Sequence, residues 1–201
     1  MMQPRVIDIF HGNQVASDGF QKAASLGIWG VIHKASQGFS MKDSKYAERR
    51  KMALDAGLLW GAYHFNSGDT VKSQVDNFLS AAKPDDKTLL CLDYEDYKSM
   101  MTIDQVVEFC ELVEHQTNKP LVIYSGNTLK ENISRLKPVD FAYITKKRLW
   151  LCQYSSEPKL PKGFDKYWLW QYTGDGNGPA PHSLVGLNND GPVDLYVYQG
   201  T

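Results

Sequence analysis

Short apolar runs alternate with helical patterns along the first two thirds of this chain, and that rhythm limits the folds open to it. Val6-Ile7-Asp8-Ile9-Phe10 reads as a first strand, followed by a helical pattern over residues 17–26 that stops at Gly27. A strand over 28–35 and a helix over 44–56, closed by Gly57, repeat the unit. The rhythm continues with strand 58–65, helix 71–82, strand 89–95, helix 103–116, strand 120–124 and a shorter helical segment over 128–135. Strands this apolar, separated by helices, belong to a parallel sheet covered on both faces and joined by right-handed crossovers. Beyond residue 142 the pattern changes. Residues 149–154, 167–172 and 193–198 are strand-like, but Pro- and Gly-rich loops separate them. The expected fold is therefore α/β, an irregular TIM-like (β/α) barrel of eight mainly parallel strands with helices missing among the last ones. A length of 201 residues fits one domain, 1–201. The Gly- and Pro-rich segment 174–192 has too little chain after it to link a second domain, and is expected to lie ordered over one end.

Charge and cysteine content narrow the function classes. The 22 basic and 23 acidic residues nearly cancel, so nothing draws the chain to nucleic acid or an anionic membrane surface. No apolar run is long enough to span a bilayer. Met1-Met2-Gln3-Pro4-Arg5 leads straight into a short strand without the apolar region of a signal peptide, so none is expected. Cys91, Cys110 and Cys152 are odd in number, sit in apolar contexts and lack metal spacing, which reads as reduced core cysteines.

Thr88-Leu89-Leu90-Cys91-Leu92-Asp93-Tyr94-Glu95-Asp96 is an apolar run that ends on acids. Alternation along a strand puts Leu89, Cys91, Asp93 and Glu95 on one face, with the Asp93 and Glu95 Cα atoms about 6.6 Å apart. Barrels of this class bind ligands at the carboxyl ends of their strands. A solvated strand end or a pair of helix N-cap acids is the plainer reading, and an apolar run leading into two acids on one face argues against it. Asp8 lies inside an apolar strand, where a buried acid needs a partner or a function. His33 and His64 also lie in apolar strands and read as core histidines. Alternatively, His64 with the acids could bind a divalent ion.

Eight segments together resemble a known family. They are Val6-Ile7-Asp8, Lys34-Ala35-Ser36-Gln37-Gly38, Gly61-Ala62-Tyr63-His64-Phe65, Asp93-Tyr94-Glu95, Ile123-Tyr124, Leu149-Trp150 with Tyr154, Trp170-Gln171-Tyr172 and Val193-Asp194-Leu195. In this order they resemble the family 25 glycoside hydrolases, lysozymes of bacteria, fungi and bacteriophages that cleave peptidoglycan. The resemblance implies an eight-stranded barrel with incomplete helices, which the strand rhythm suggests independently. Three positions depart from the family pattern: Gln37 where Glu is frequent, Phe10-His11-Gly12-Asn13 in place of a Ser-rich loop, and Tyr196 where Asn is common.

Glycoside cleavage needs a proton for the leaving oxygen and negative charge near the reacting carbon. Asp8, Asp93, Glu95 and Asp194 converge at the barrel mouth if all four sit at strand ends. Crowded carboxylates raise one another's pKa, and Glu95, with the longest reach, is the expected general acid and later general base. The backbone spacing alone permits either a retaining or an inverting reaction. The resemblance implies retention assisted by the substrate's own N-acetyl group, with Asp93 orienting that acetamide. It also implies the β-1,4 bond between N-acetylmuramic acid and N-acetylglucosamine as the target, with neither cofactor nor metal. Tyr63, Tyr124 and Trp170 are the candidate sugar-packing rings, and Gln171 a polar contact. The expected partner is the peptidoglycan glycan strand, bound by a monomer made in the cytoplasm that acts on the wall after release or export, as an endolysin does. The alternative is a non-catalytic glycan-binding barrel, which the presence of all four acids disfavours.

Overall fold

The computed structural model describes residues 5–95 and 100–199. Met1 to Pro4, read above as the start of a chain without a signal peptide, and Asp96 lie outside the described residues. Among the described residues there are nine strands: β1 (Val6–Ile9), β2 (Gly30–Gln37), β3 (Met41–Lys42), β4 (Leu59–Phe65), β5 (Leu89–Asp93), β6 (Leu121–Ser125), β7 (Arg148–Cys152), β8 (Leu169–Thr173) and β9 (Asp194–Tyr198). Six α-helices accompany them: α1 (Gly19–Ser25), α2 (Tyr46–Asp55), α3 (Val71–Ala82), α4 (Ile103–Thr117), α5 (Asn127–Asn132) and α6 (Pro138–Ile144). Eight strands close into a barrel in the order β1-β2-β4-β5-β6-β7-β8-β9, with β9 returning to β1. The two-residue β3 only doubles back on the end of β2. All barrel neighbours are parallel except β9, which runs antiparallel to both β8 and β1.

The expected barrel is thus the observed one, and no α-helix separates β7 from β8 or β8 from β9 among the described residues. One helix escaped the sequence reading. In α6, Pro138 occupies the first turn, where a missing N–H costs nothing and the fixed φ favours the helix. Among the described residues no helix is long and apolar enough to cross a membrane.

Alternation sorts the strand side chains into two layers. Ile32, Tyr63, Cys91, Val122, Tyr124, Trp150, Leu169 and Tyr196 fill the barrel interior. Ile7, Val31, Leu90, Leu92, Ile123, Leu151 and Leu195 face outward, against the helices. On α3 the spacing of Val71, Val75, Phe78 and Ala82 forms one buried stripe. Thr102 starts α4 through a reciprocal capping box with Gln105, and Asn118 ends it in the left-handed conformation. Truncating a fully buried ring such as Phe109 to Ala would cost about 3–5 kcal/mol.

Both strand histidines are core residues. His64 is fully buried, with Nδ1 2.8 Å from Ser36 Oγ and Nε2 3.2 Å from Gln74 Oε1, and burial lowers its pKa to about 4. His33 is bound to the Lys34 carbonyl at 2.7 Å, and its pKa is also lowered to about 4, chiefly by burial. With both ring nitrogens engaged, His64 is not available to join the acids around an ion. The three cysteines are free thiols. Cys152 departs from the core reading, because it is partly exposed at the carboxyl end of β7.

Candidate active site

A cavity of about 290 Å³ opens at the carboxyl end of the parallel strands, and Asp8, Asp93, Glu95 and Asp194 all line it. The acids come from strand ends at the mouth. Asp8 comes from β1 and Asp93 from the end of β5, with Glu95 two residues beyond. Asp194 is the first residue of β9, not the last. The antiparallel direction of β9 carries it to the mouth, directly across from Asp8 in the strand register.

The Asp-x-Glu backbone is pinned from both sides. Asn66 Nδ2 donates to the carbonyls of Asp93 and Glu95, each at 3.1 Å, while the Met101 N–H donates to Asn66 Oδ1 at 2.9 Å. Across the strand, the Ser125 hydroxyl donates to the Tyr94 carbonyl at 2.7 Å and the Tyr94 N–H to the Tyr124 carbonyl at 2.9 Å. These bonds fix the direction in which Asp93 and Glu95 leave the chain.

Burial dominates the electrostatics. It raises the Asp93 pKa well above the usual carboxylate value, with the neighbouring Glu95 charge adding and the Lys34 ammonium opposing. Burial also raises Glu95, against side-chain hydrogen bonding with Cys152 and Tyr124 and the attraction of Lys34. Asp8 and Asp194 share a hydrogen bond. Burial and the Asp194 charge push Asp8 well up, and burial lifts Asp194 to about 6. The Tyr196 hydroxyl donates to Asp8 Oδ1, which explains the tyrosine at that position. Among the described lining residues Lys34 supplies the cation: its Nζ donates to Gln37 Oε1 at 3.2 Å and sits 4.7 Å above the Phe65 ring. Gln37, the departure from the family pattern, therefore serves Lys34.

Tyr63 and Tyr124, the two candidate rings, line the cavity together with Trp150, Tyr154, Phe10 and Phe65. Trp150 packs edge-on between Tyr124 and Tyr196, with ring centres at 4.7 and 5.0 Å. Trp170 is not in the groove. It faces the opposite side of β8, packs with Tyr167 and Tyr172 in the outer layer, and donates through Nε1 to the Gln153 carbonyl at 2.8 Å. Gln171 faces inward but is fully buried behind the wall. It accepts from the Tyr124 hydroxyl at 2.5 Å and donates to the Tyr154 hydroxyl at 3.4 Å, bracing both rings. Its place is behind the cavity wall, not on its surface.

A second cavity, of about 400 Å³, adjoins the first, with Asn127, Thr128, Cys152 and Gln153 in its wall. Glu95 and Tyr154 border both. Gly126 is required beside it, because a Cβ there would come within 2.6 Å of the Cys152 carbonyl oxygen. Glu95 thus stands on the partition between two compartments.

Residues 7–180 match the model of the glycosyl hydrolases family 25. The chain belongs to that family. It is 26% identical over 215 residues to lysozyme M1 of Streptomyces globisporus, covering 97% of this chain and 67% of that protein. It is also 26% identical to the uncharacterized protein YegX of Escherichia coli, covering 84% of this chain and 58% of that protein. A bacterial lysozyme from Streptomyces coelicolor shares the fold with a TM-score of 0.78 at 23% identity, over 97% of this chain and 91% of that one. The protein is accordingly a glycoside hydrolase of the lysozyme type. The family match stops before β9, so Asp194 enters this family 25 site through the register of β9 on β1.

Asn66, Ser125, Lys34, Trp150, Cys152 and Tyr154 are among the site residues that sequence reasoning did not assign. Asn66 and Ser125 carried a usable signal: each is a small polar residue at the carboxyl end of an apolar strand. Lys34 carried one too, as a lone cation on the inward face of β2.

Proposed function

We propose that this family 25 hydrolase cleaves the β-1,4 bond between N-acetylmuramic acid and N-acetylglucosamine in peptidoglycan, with Glu95 as the proton donor. The observation that carries the reading is the position of Glu95, a partly buried carboxyl with a raised pKa on the border between two cavities. A glycosidic oxygen beside it would place one sugar in each. Glu95 protonates that oxygen as the C1–O bond breaks and the acetamide oxygen of the departing-bond sugar closes on C1. The Glu95 carboxylate then takes a proton from water, whose oxygen opens the resulting ring with net retention. Asp93 holds the acetamide N–H for that attack. Its Oδ1 has no hydrogen-bond partner among the described residues, which suits a group whose partner arrives with substrate. Asp8 and Asp194 hold the floor, and Tyr63, Tyr124 and Trp150 supply apolar faces for the sugar rings. The substrate lies outside the cytoplasmic membrane, so a protein made in the cytoplasm acts after release or export, as a monomer on the glycan strand. Mass spectrometry of borohydride-reduced digests of purified peptidoglycan tests the bond. Reduced N-acetylmuramic acid ends are expected, whereas reduced N-acetylglucosamine ends, or none, would overturn the proposal.

A further inference from the structure

Cys152 ends β7 with its side chain on the barrel's inward face, beside Glu95 in the wall of the second cavity. Two side-chain hydrogen-bonding groups lie against the Glu95 carboxyl, the Cys152 thiol and the Tyr124 hydroxyl. A phenol has one proton to give, and Tyr124 gives it to Gln171 Oε1 at 2.5 Å. The orientation of Gln171 fixes that assignment, since its amide nitrogen points to the Tyr154 hydroxyl and the Asp194 carboxylate. Tyr124 can therefore offer Glu95 an acceptor, and the donor left for an ionised Glu95 is the thiol.

We propose that Cys152 is a positioning residue that donates an S–H hydrogen bond to the Glu95 carboxylate and holds it on the partition between the two cavities. Protonated Glu95 turns its own O–H to the Tyr124 oxygen, and ionised Glu95 takes up the thiol proton in a hydrogen bond. The proton donor thus has a distinct partner in each of its two catalytic forms. Burial pushes the Cys152 thiol up to about 12, so it stays protonated and able to donate across the working range. The inference rests on Glu95 being the proton donor of the proposed reaction.

The test is a titration of the Glu95 side-chain carbon by carbon-13 NMR, with the resonance assigned by its loss in Glu95→Gln, in the wild type, Cys152→Ala and Cys152→Ser. Losing a hydrogen bond to the charged form raises the Glu95 midpoint, by roughly half a unit for a weak thiol donor. The alkaline limb of kcat/KM should move upward with it. Cys152→Ser puts a stronger donor in place of the thiol and brings the midpoint below the wild-type value. Equal midpoints in the wild type and Cys152→Ala, or equal shifts in the Ala and Ser variants, would overturn the proposal. Should Cys152→Ala fail to fold, Cys152→Ser decides alone: the stronger hydroxyl donor lowers the midpoint, and an unchanged one overturns the role. The titration reads Glu95 without turnover, so its result stands apart from the muramidase reading, which full activity of Glu95→Gln would sink by itself.

Discussion

Replacing Asn66 by Ala removes the clasp that aims the two central acids. Three hydrogen bonds disappear, from Nδ2 to the carbonyls of Asp93 and Glu95 and from the Met101 N–H to Oδ1. The Asp93 carbonyl keeps its bond from the Asn66 backbone N–H at 3.1 Å, so it is not stranded. The Met101 N–H, buried with its partner gone, bears the largest penalty, about 1–3 kcal/mol for an unsatisfied group. The Glu95 carbonyl is closer to solvent and adds less, which puts the total at about 2–4 kcal/mol. For a chain of this length that lowers Tm by roughly 4–16 °C. Glu95 lies beyond the end of β5, so freeing its backbone also frees the carboxyl, and a shift of about 1 Å costs on the order of a hundredfold in rate. Thermal melts and clearing of a peptidoglycan suspension read the two effects separately. A Tm within a degree of wild type together with kcat/KM within twofold would refute the account of how the Asp-x-Glu segment is held.

Trp170→Phe should leave KM for peptidoglycan within about twofold while lowering stability by about 1–2 kcal/mol, through the lost Nε1 bond and smaller ring; a large rise in KM at wild-type stability would return Trp170 to the groove. The pH dependence of stability carries a mark of His64. Its folded pKa of about 4 lies below the unfolded value of about 6.5, so the unfolded chain takes up its proton first and stability falls as pH drops from 6.5 towards 4. Between pH 7 and pH 5 the loss from this group is about 2 kcal/mol. His64→Gln should flatten the wild-type curve by that amount, as measured by urea unfolding at the two pH values, and parallel curves would contradict the assignment of a neutral buried imidazole.

Much of the fold was legible because each unit announces itself: a short apolar run, a polar break, a helical stripe and a glycine stop such as Gly27 or Gly57. The bounds of α3 match expectation because Thr70 starts the stripe and the chain turns left-handed at Lys83. The direction of β9 was not legible. A period of two reads the same in both directions, so nothing within Asp194–Tyr198 distinguishes an antiparallel strand from a parallel one. The misplacement of Trp170 has a related cause. Along β8 both faces are buried, so hydrophobicity does not say which of Trp170 and its neighbours points into the barrel. The four acids were legible because carboxylates are out of place in apolar strands, whereas the groups that hold them are ordinary in composition. Gln171 and Tyr196 acquire their meaning only from partners far along the chain, as when Tyr196 meets Asp8 across the closing seam of the barrel.

The central claim, that Glu95 supplies the proton for glycoside cleavage, is tested most directly by the rate at which purified Glu95→Gln releases new reducing ends from peptidoglycan. The variant should fold as the wild type does, bind the insoluble substrate and lose at least about a hundredfold in kcat, in line with removal of a general acid. Release at the wild-type rate by a folded Glu95→Gln protein would contradict the account.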